Sequence, residues 1–166
     1  THAAARMASV AVDNALGAGT ARLRKRVWDP GAIGWVTFTD PDVAQIGVTE
    51  AEAVAIKGAR VSEVSMNEVD RAIAVGRTDG FIKLIAAPRK IIGNAGGGRL
   101  IGATVVAERA GELAGELALA CGTGMFTGRL AQAVHPYPTW SMAVSQAASQ
   151  FFTDAYSGRR ARKPIG

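Results

Sequence analysis

Trp35-Val36-Thr37-Phe38-Thr39-Asp40-Pro41-Asp42-Val43-Ala44-Gln45-Ile46-Gly47-Val48-Thr49-Glu50-Ala51-Glu52 is the run that decides the fold. Branched and aromatic residues from Trp35 to Thr39 predict a strand. Asp40-Pro41-Asp42 turns the chain, and Val43 to Ile46 predicts a short strand running back. Thr49-Glu50-Ala51-Glu52 has the spacing of a capping box, in which the first side chain and the fourth each satisfy the other's backbone N–H. A helix is expected from there to about Lys57.

Further strands are expected at 60–68, 80–87 and 100–107. The last two are joined by a loop containing Gly96-Gly97-Gly98, so they should pair antiparallel. Beyond them the period changes. Leu113, Leu117 and Ala120 predict a helix from Ala110 to Cys121, and a short helix follows at 127–133. Ala143, Val144, Ala147, Ala148, Phe151 and Phe152 form an i, i+4 stripe for a final helix. Strands first and helices after them make an α+β domain, an antiparallel sheet with helices packed on it. Upstream, Ala5, Ala8, Val12 and Leu16 mark one face of a leading helix, with Thr1 as N-cap and Gly17 as stop. Asp29-Pro30-Gly31 and Gly34 make 18–34 a linker.

The chain has 166 residues and 48% hydrophobic composition, enough for a real core and too apolar for disorder. Its net charge of +5 is concentrated. Arg22, Arg24, Lys25 and Arg26 form one cluster, and Arg159, Arg160, Arg162 and Lys163 another, in a basic tail at 157–166. Without those eight cations, the 19 basic and 14 acidic residues leave a body at −3. The clusters read as solvated linker and tail, and neither nucleic acid nor membrane is expected as a partner. No apolar run approaches the roughly 18 residues of a spanning helix. One cysteine, Cys121, excludes an internal disulfide and fits a reducing cytoplasm.

No Gly-x-Gly-x-x-Gly follows a strand and opens a helix, and no P-loop, His-Glu-x-x-His or Gly-x-Ser-x-Gly appears. With two histidines and one cysteine, no metal site is expected. His135-Pro136-Tyr137-Pro138-Thr139-Trp140-Ser141-Met142 is the segment richest in chemistry. Its prolines stiffen the approach to a helix, with Thr139 as cap and Trp140 in the first turn. Such a loop can present His135 and Tyr137 to a cleft; the blander alternative is a capped helix start whose His and Tyr only pack. Cys121 reads as a small buried hydrophobe. Glu112 and Glu116 share a helix face, which is more simply a solvated face than a catalytic pair.

Val36 to Ala53 resembles the start of the dimerisation domain of pyridine nucleotide-disulfide oxidoreductases, the flavoenzymes that include lipoamide dehydrogenase, glutathione reductase and mercuric reductase. Asp70-Arg71-Ala72 and Gly80-Phe81-Ile82-Lys83-Leu84 resemble its middle strands. Leu100 to Ala103 and Ala110 to Leu113 resemble its later strand-to-helix passage, where Gly111 and Glu112 match a packing motif. His135 to Thr139 lies where the family has His-x-His-Pro-Thr. Thr1 to Gly17 resembles the last helix of the family's FAD domain.

The resemblance implies a homodimer, FAD shared across it, and NAD(P)H as reductant of a longer parent with FAD and NAD(P)H domains upstream. It divides the chain into 1–17, the last FAD-domain helix, a linker 18–34, the dimerisation domain 35–156 and a flexible tail 157–166. It places Thr1, His2 and Ala3 at the flavin through free helix N–H groups. It makes His135 and Tyr137 the catalytic-loop residues. His135 matches the family's first histidine, Tyr137 replaces the second, and Met142 replaces the orienting glutamate. Tyrosine is a weak base and a thioether orients nothing. The expectation is therefore flavin-mediated electron transfer to a quinone or another small acceptor. The alternatives are a homodimerisation module that catalyses nothing, or a subunit complementing a separate flavin-binding chain.

Overall fold

A computed structural model describes residues 1–17, 25–31 and 33–152. Five strands form one antiparallel sheet: β1 (Trp35–Thr37), β2 (Asp42–Gly47), β3 (Arg60–Ser65), β4 (Phe81–Ala87) and β5 (Arg99–Ala107), in the order β1-β2-β5-β4-β3. Among the described residues six helices accompany them: α1 (His2–Leu16), α2 (Glu50–Ala53), α3 (Asp70–Ala74), α4 (Ala110–Gly122), α5 (Thr127–Gln132) and α6 (Met142–Ser149). The α+β expectation holds.

Strand alternation sorts the side chains into rows. Val64, Ile82, Val105, Ala44 and Val36 lie opposite one another across the five strands, with Leu84, Ala103 and Ile46 in the next such row. These rows meet α4 and α6 to form the main core, which includes Leu113, Leu117, Val144 and Phe151. One residue along, on the other face, Glu63, Lys83, Thr104, Gln45 and Trp35 form a polar row. The segment between β2 and β3 crosses that face, and its Ala53 and Ala59 close a small second cluster with Val61 and Ile85.

The crossing depends on two facing glycines. Gly47 and Gly102 pair across β2 and β5. At Gly47, whose φ is +60°, a Cβ would fall 2.2 Å from the Ile101 carbonyl oxygen, and at Gly102 one would fall 2.0 Å from that of Val48. Only a residue without Cβ lets the chain peel off so close to its neighbour.

Several elements differ from expectation in extent. The capping box at Thr49 forms: Thr49 N donates to Glu52 Oε2 at 2.7 Å and Glu52 N to Thr49 Oγ1 at 3.3 Å. It also holds the Glu52 carboxyl below its usual range, chiefly through that backbone donor. The helix it starts ends at Ala53 rather than Lys57, because tighter i to i−3 bonds from Ala55 and Ile56 double the chain back toward β3. Strand β3 stops at Ser65, and Met66–Glu68 is a 3₁₀ turn. Asp70-Arg71-Ala72, expected in a strand, opens α3 and buries Ala72. The final helix begins at Met142 and ends at Ser149, with Phe151 and Phe152 in the turn beyond. Thr139 does not cap it: its Oγ1 donates to the Pro136 carbonyl at 2.6 Å.

The basic clusters are only partly in view. Arg22, Arg24 and the tail lie outside the described residues. Arg26 is tied to α1, not merely solvated: its N–H donates to Asn14 Oδ1 at 2.7 Å, Asn14 Nδ2 donates to its carbonyl at 2.9 Å, and its guanidinium pairs with Asp13.

Candidate functional site

The loop 133–141 joins α5 to α6, and its two titratable side chains point opposite ways. His135 turns inward, its side chain 9% exposed. Its Nε2 lies 3.0 Å from Glu116 Oε1 on α4, and its Nδ1 lies 3.1 Å from the Ala133 carbonyl oxygen. Tyr137 turns outward and is 69% exposed. The Asp70 carboxylate at the start of α3 faces its hydroxyl and, as acceptor and as negative charge, raises the phenol above its ordinary value. At neutral pH Tyr137 is therefore a protonated hydrogen-bond donor.

The loop is thus pinned by α4 through His135, while Tyr137 faces Asp70 of α3. Thr139 Oγ1, which donates to Pro136, adds a local brace. Beside it lies a cleft of about 490 Å³, lined by Arg71, Arg109, Glu112, Glu116 and Trp140 among others. Glu116 faces both the cleft and His135.

The sequence missed both carboxylate partners. Glu116 reads as solvated, yet it follows the buried Leu113 by three residues and so sits at the edge of the apolar stripe. That spacing was the available signal. Nothing local to Asp70 points to Tyr137, 67 positions on. Glu112 stands apart from the pair, and Gly111 packs, its Cβ position lying 3.3 Å from the exposed Phe38 ring. Met142 opens α6 half-buried. Cys121 packs against the core, and burial pushes its thiol up to about 12.

Thr1, His2 and Ala3 form the first turn of α1. Thr1 makes no side-chain cap, leaving first-turn N–H groups open to an acceptor. His2 reaches back instead, Nε2 to the Gly34 carbonyl at 2.8 Å, and fastens α1 near β1. Among the described residues no hydrogen bond or ion pair joins residues 1–3 to His135 or Tyr137. Nor do the described residues contain a cluster of three metal-ligating side chains, or a helix long and apolar enough to cross a membrane.

Residues 33–148 match the profile of the pyridine nucleotide-disulphide oxidoreductase dimerisation domain. A mercuric reductase of Streptomyces lividans is 34% identical over 154 residues, which cover 92% of this chain and 30% of that protein. A dihydrolipoyl dehydrogenase of Buchnera aphidicola is 32% identical over 129 residues, 77% of this chain and 26% of that protein. The crystal structure of LpdA from Mycobacterium tuberculosis superposes with a TM-score of 0.71 at 27% identity, covering 84% of this chain and 28% of that one. The chain spans less than a third of the length of these relatives. It belongs to the pyridine nucleotide-disulphide oxidoreductase family as its dimerisation domain.

Proposed function

We propose that this chain forms the two-fold interface of a FAD-dependent NAD(P)H oxidoreductase and completes its active site with Tyr137 from the opposite subunit. The observation that carries the reading is the split loop. His135 is locked inward on Glu116 while Tyr137, two residues on, stands out in solvent beside Asp70 of α3. A half-site displayed this way suits a partner surface.

The described residues enclose no nucleotide: the sheet is antiparallel throughout, without the strand–turn–helix that cradles a pyrophosphate. What fits a flavin is peripheral, namely the open N–H groups of Thr1, His2 and Ala3 and the phenol of Tyr137. When bound, FAD supplies a two-electron carrier between NAD(P)H and an acceptor. On this reading α1 is the last helix of the FAD domain. Its exposed Met7, Val12 and Leu16 support that, since only Val10 is buried.

Tyr137 donates a hydrogen bond and orients; it does not shuttle protons at neutral pH, because Asp70 favours its protonated form. His135 positions the loop. With Met142 at the place of the orienting carboxylate, no His–Glu couple faces the partner to manage a thiol's proton. A quinone or similar small acceptor fits better than a disulfide.

Light scattering should give a particle of about twice the 17.2 kDa chain mass. In the intact flavoenzyme, a positioned base is worth about 10²–10⁴-fold. Tyr137→Phe should cost far less than that with menadione as acceptor. Lipoamide turnover abolished by Tyr137→Phe would overturn the assignment.

A further inference from the structure

We propose that the tip of the β4–β5 hairpin docks the protein onto an anionic lipid surface. The tip is a closed structure: Arg89 and Gly93 exchange backbone hydrogen bonds of 2.8 and 2.9 Å, leaving Lys90, Ile91 and Ile92 as the apex. Ile91 is 96% exposed and Ile92 49%. One exposed isoleucine is unremarkable on any protein. Two adjacent ones, at the apex of a bridged loop and framed by cations, make an amphipathic probe.

The framing is one-signed. A cleft of about 650 Å³ beside the tip is lined by Arg89, Lys90 and Arg99. A smaller one of about 280 Å³ shares Ile92 and adds Arg129. No acidic residue lines either. None of the four cations makes an ion pair among the described residues. Arg89 is fixed in place, its guanidinium 3.9 Å from the Phe126 ring centroid and donating to the Gly124 carbonyl at 2.8 Å. Lys90, Arg99 and Arg129 are exposed. Phe152 packs against Gly97 and Gly128 beside this hairpin. Four described cations thus gather around this one tip.

A bilayer surface answers both halves of the tip. Headgroup phosphates attract the cations, and the layer beneath them accepts isoleucine. A nucleic acid answers only the charge; it would stack on aromatic faces, and the Phe126 face is covered by Arg89. The sequence predicted no membrane partner because it lacks a spanning run, but a loop tip needs none. The tip would act this way whether or not the chain serves a flavoenzyme.

The test is co-sedimentation of the full chain with phosphatidylcholine vesicles, with and without phosphatidylglycerol, at low and high salt. Binding is expected only with phosphatidylglycerol and should weaken with salt. Lys90→Ala with Arg99→Ala should lower the partition coefficient about thirtyfold, at about fivefold per cation. Ile91→Ser should lower it by several-fold with the charge unchanged. These are surface positions, and unchanged circular dichroism would show that the fold survives. Failure to bind phosphatidylglycerol vesicles overturns the proposal. So does binding that survives the double substitution, which would assign attachment to other cations, or binding indifferent to Ile91→Ser, which would reduce it to charge attraction without insertion.

Discussion

The two faces of the sheet differ by one residue in register and by almost everything in chemistry. On the helix side, Ile82, Leu84 and Val105 are fully buried beneath α4 and α6. On the other side, Glu63, Lys83, Thr104 and Gln45 occupy the neighbouring row and satisfy one another. Lys83 Nζ lies 2.5 Å from Glu50 Oε2 and 3.2 Å from Glu63 Oε2, and Thr104 Oγ1 donates to Gln45 Oε1 at 2.6 Å. The first face is held by shape and lack of water, the second mainly by pairing, with one small apolar cluster where Val61 and Ile85 meet Ala53 and Ala59. Substitutions should therefore cost most on the first face and depend on pH mainly on the second.

The largest effect expected is kinetic and belongs to the helix side. Cys121 is the chain's one cysteine, and burial pushes it up to about 12 from 9.0. Its thiolate fraction at neutral pH should be about a thousandfold below that of an ordinary thiol. Reaction with a disulfide dye should be correspondingly slow in the native protein and fast in urea. Fast native labelling would mean that α4 covers the sheet loosely. Next comes Leu84→Ala, which empties a fully buried site in the middle of the sheet and should cost about 2–5 kcal/mol in urea unfolding. A loss under about 1 kcal/mol would erase the contrast between the faces.

Lys83→Met is the matching substitution on the second face. It leaves Glu50 and Glu63 without their shared cation and should cost about 1 kcal/mol near neutral pH. Burial pulls the Lys83 pKa down, but the two carboxylates outweigh it and the net shift is upward. A raised ammonium pKa stabilises fully below its unfolded value of about 10.4 and loses that stability as pH climbs through the folded value. On the alkaline side, the gap between wild type and Lys83→Met should therefore close only in strong alkali. A gap that closes between pH 5 and 8 would show that a carboxylate or histidine governs this face instead.

The same contrast decides what could be read without a structure. Strands β2, β4 and β5 were legible because a buried row alternates with a polar one, and α4 because Leu113 and Leu117 repeat at helical spacing. Asp70-Arg71-Ala72 was misplaced because a helix of five residues carries too little period to show. The start of α6 was misplaced because Thr139, a good cap by type, spends its hydroxyl on Pro136. The candidate loop was legible as a stiff segment with His135 and Tyr137. Its directions were not, since they depend on Glu116 and Asp70, which only the tertiary fold brings near.

The smallest effect tests that last dependence. Tyr137 is exposed, and its perturbation comes chiefly from one neighbour, with burial a lesser cause. The hydrogen bond to Asp70 and the negative charge there both favour the protonated phenol. Its ionisation should thus be centred above 10, and the bond should persist until pH rises through that raised value. Ultraviolet titration of wild type minus Tyr137→Phe isolates this group from Tyr156, which lies outside the described residues. Asp70→Asn should bring the midpoint back toward 10 while leaving the melting temperature almost unchanged, because an exposed pair contributes little to stability. If Asp70→Asn leaves the midpoint where it was, α3 does not hold the phenol. Tyr137 would then be a free surface residue whose direction the partner subunit alone would set.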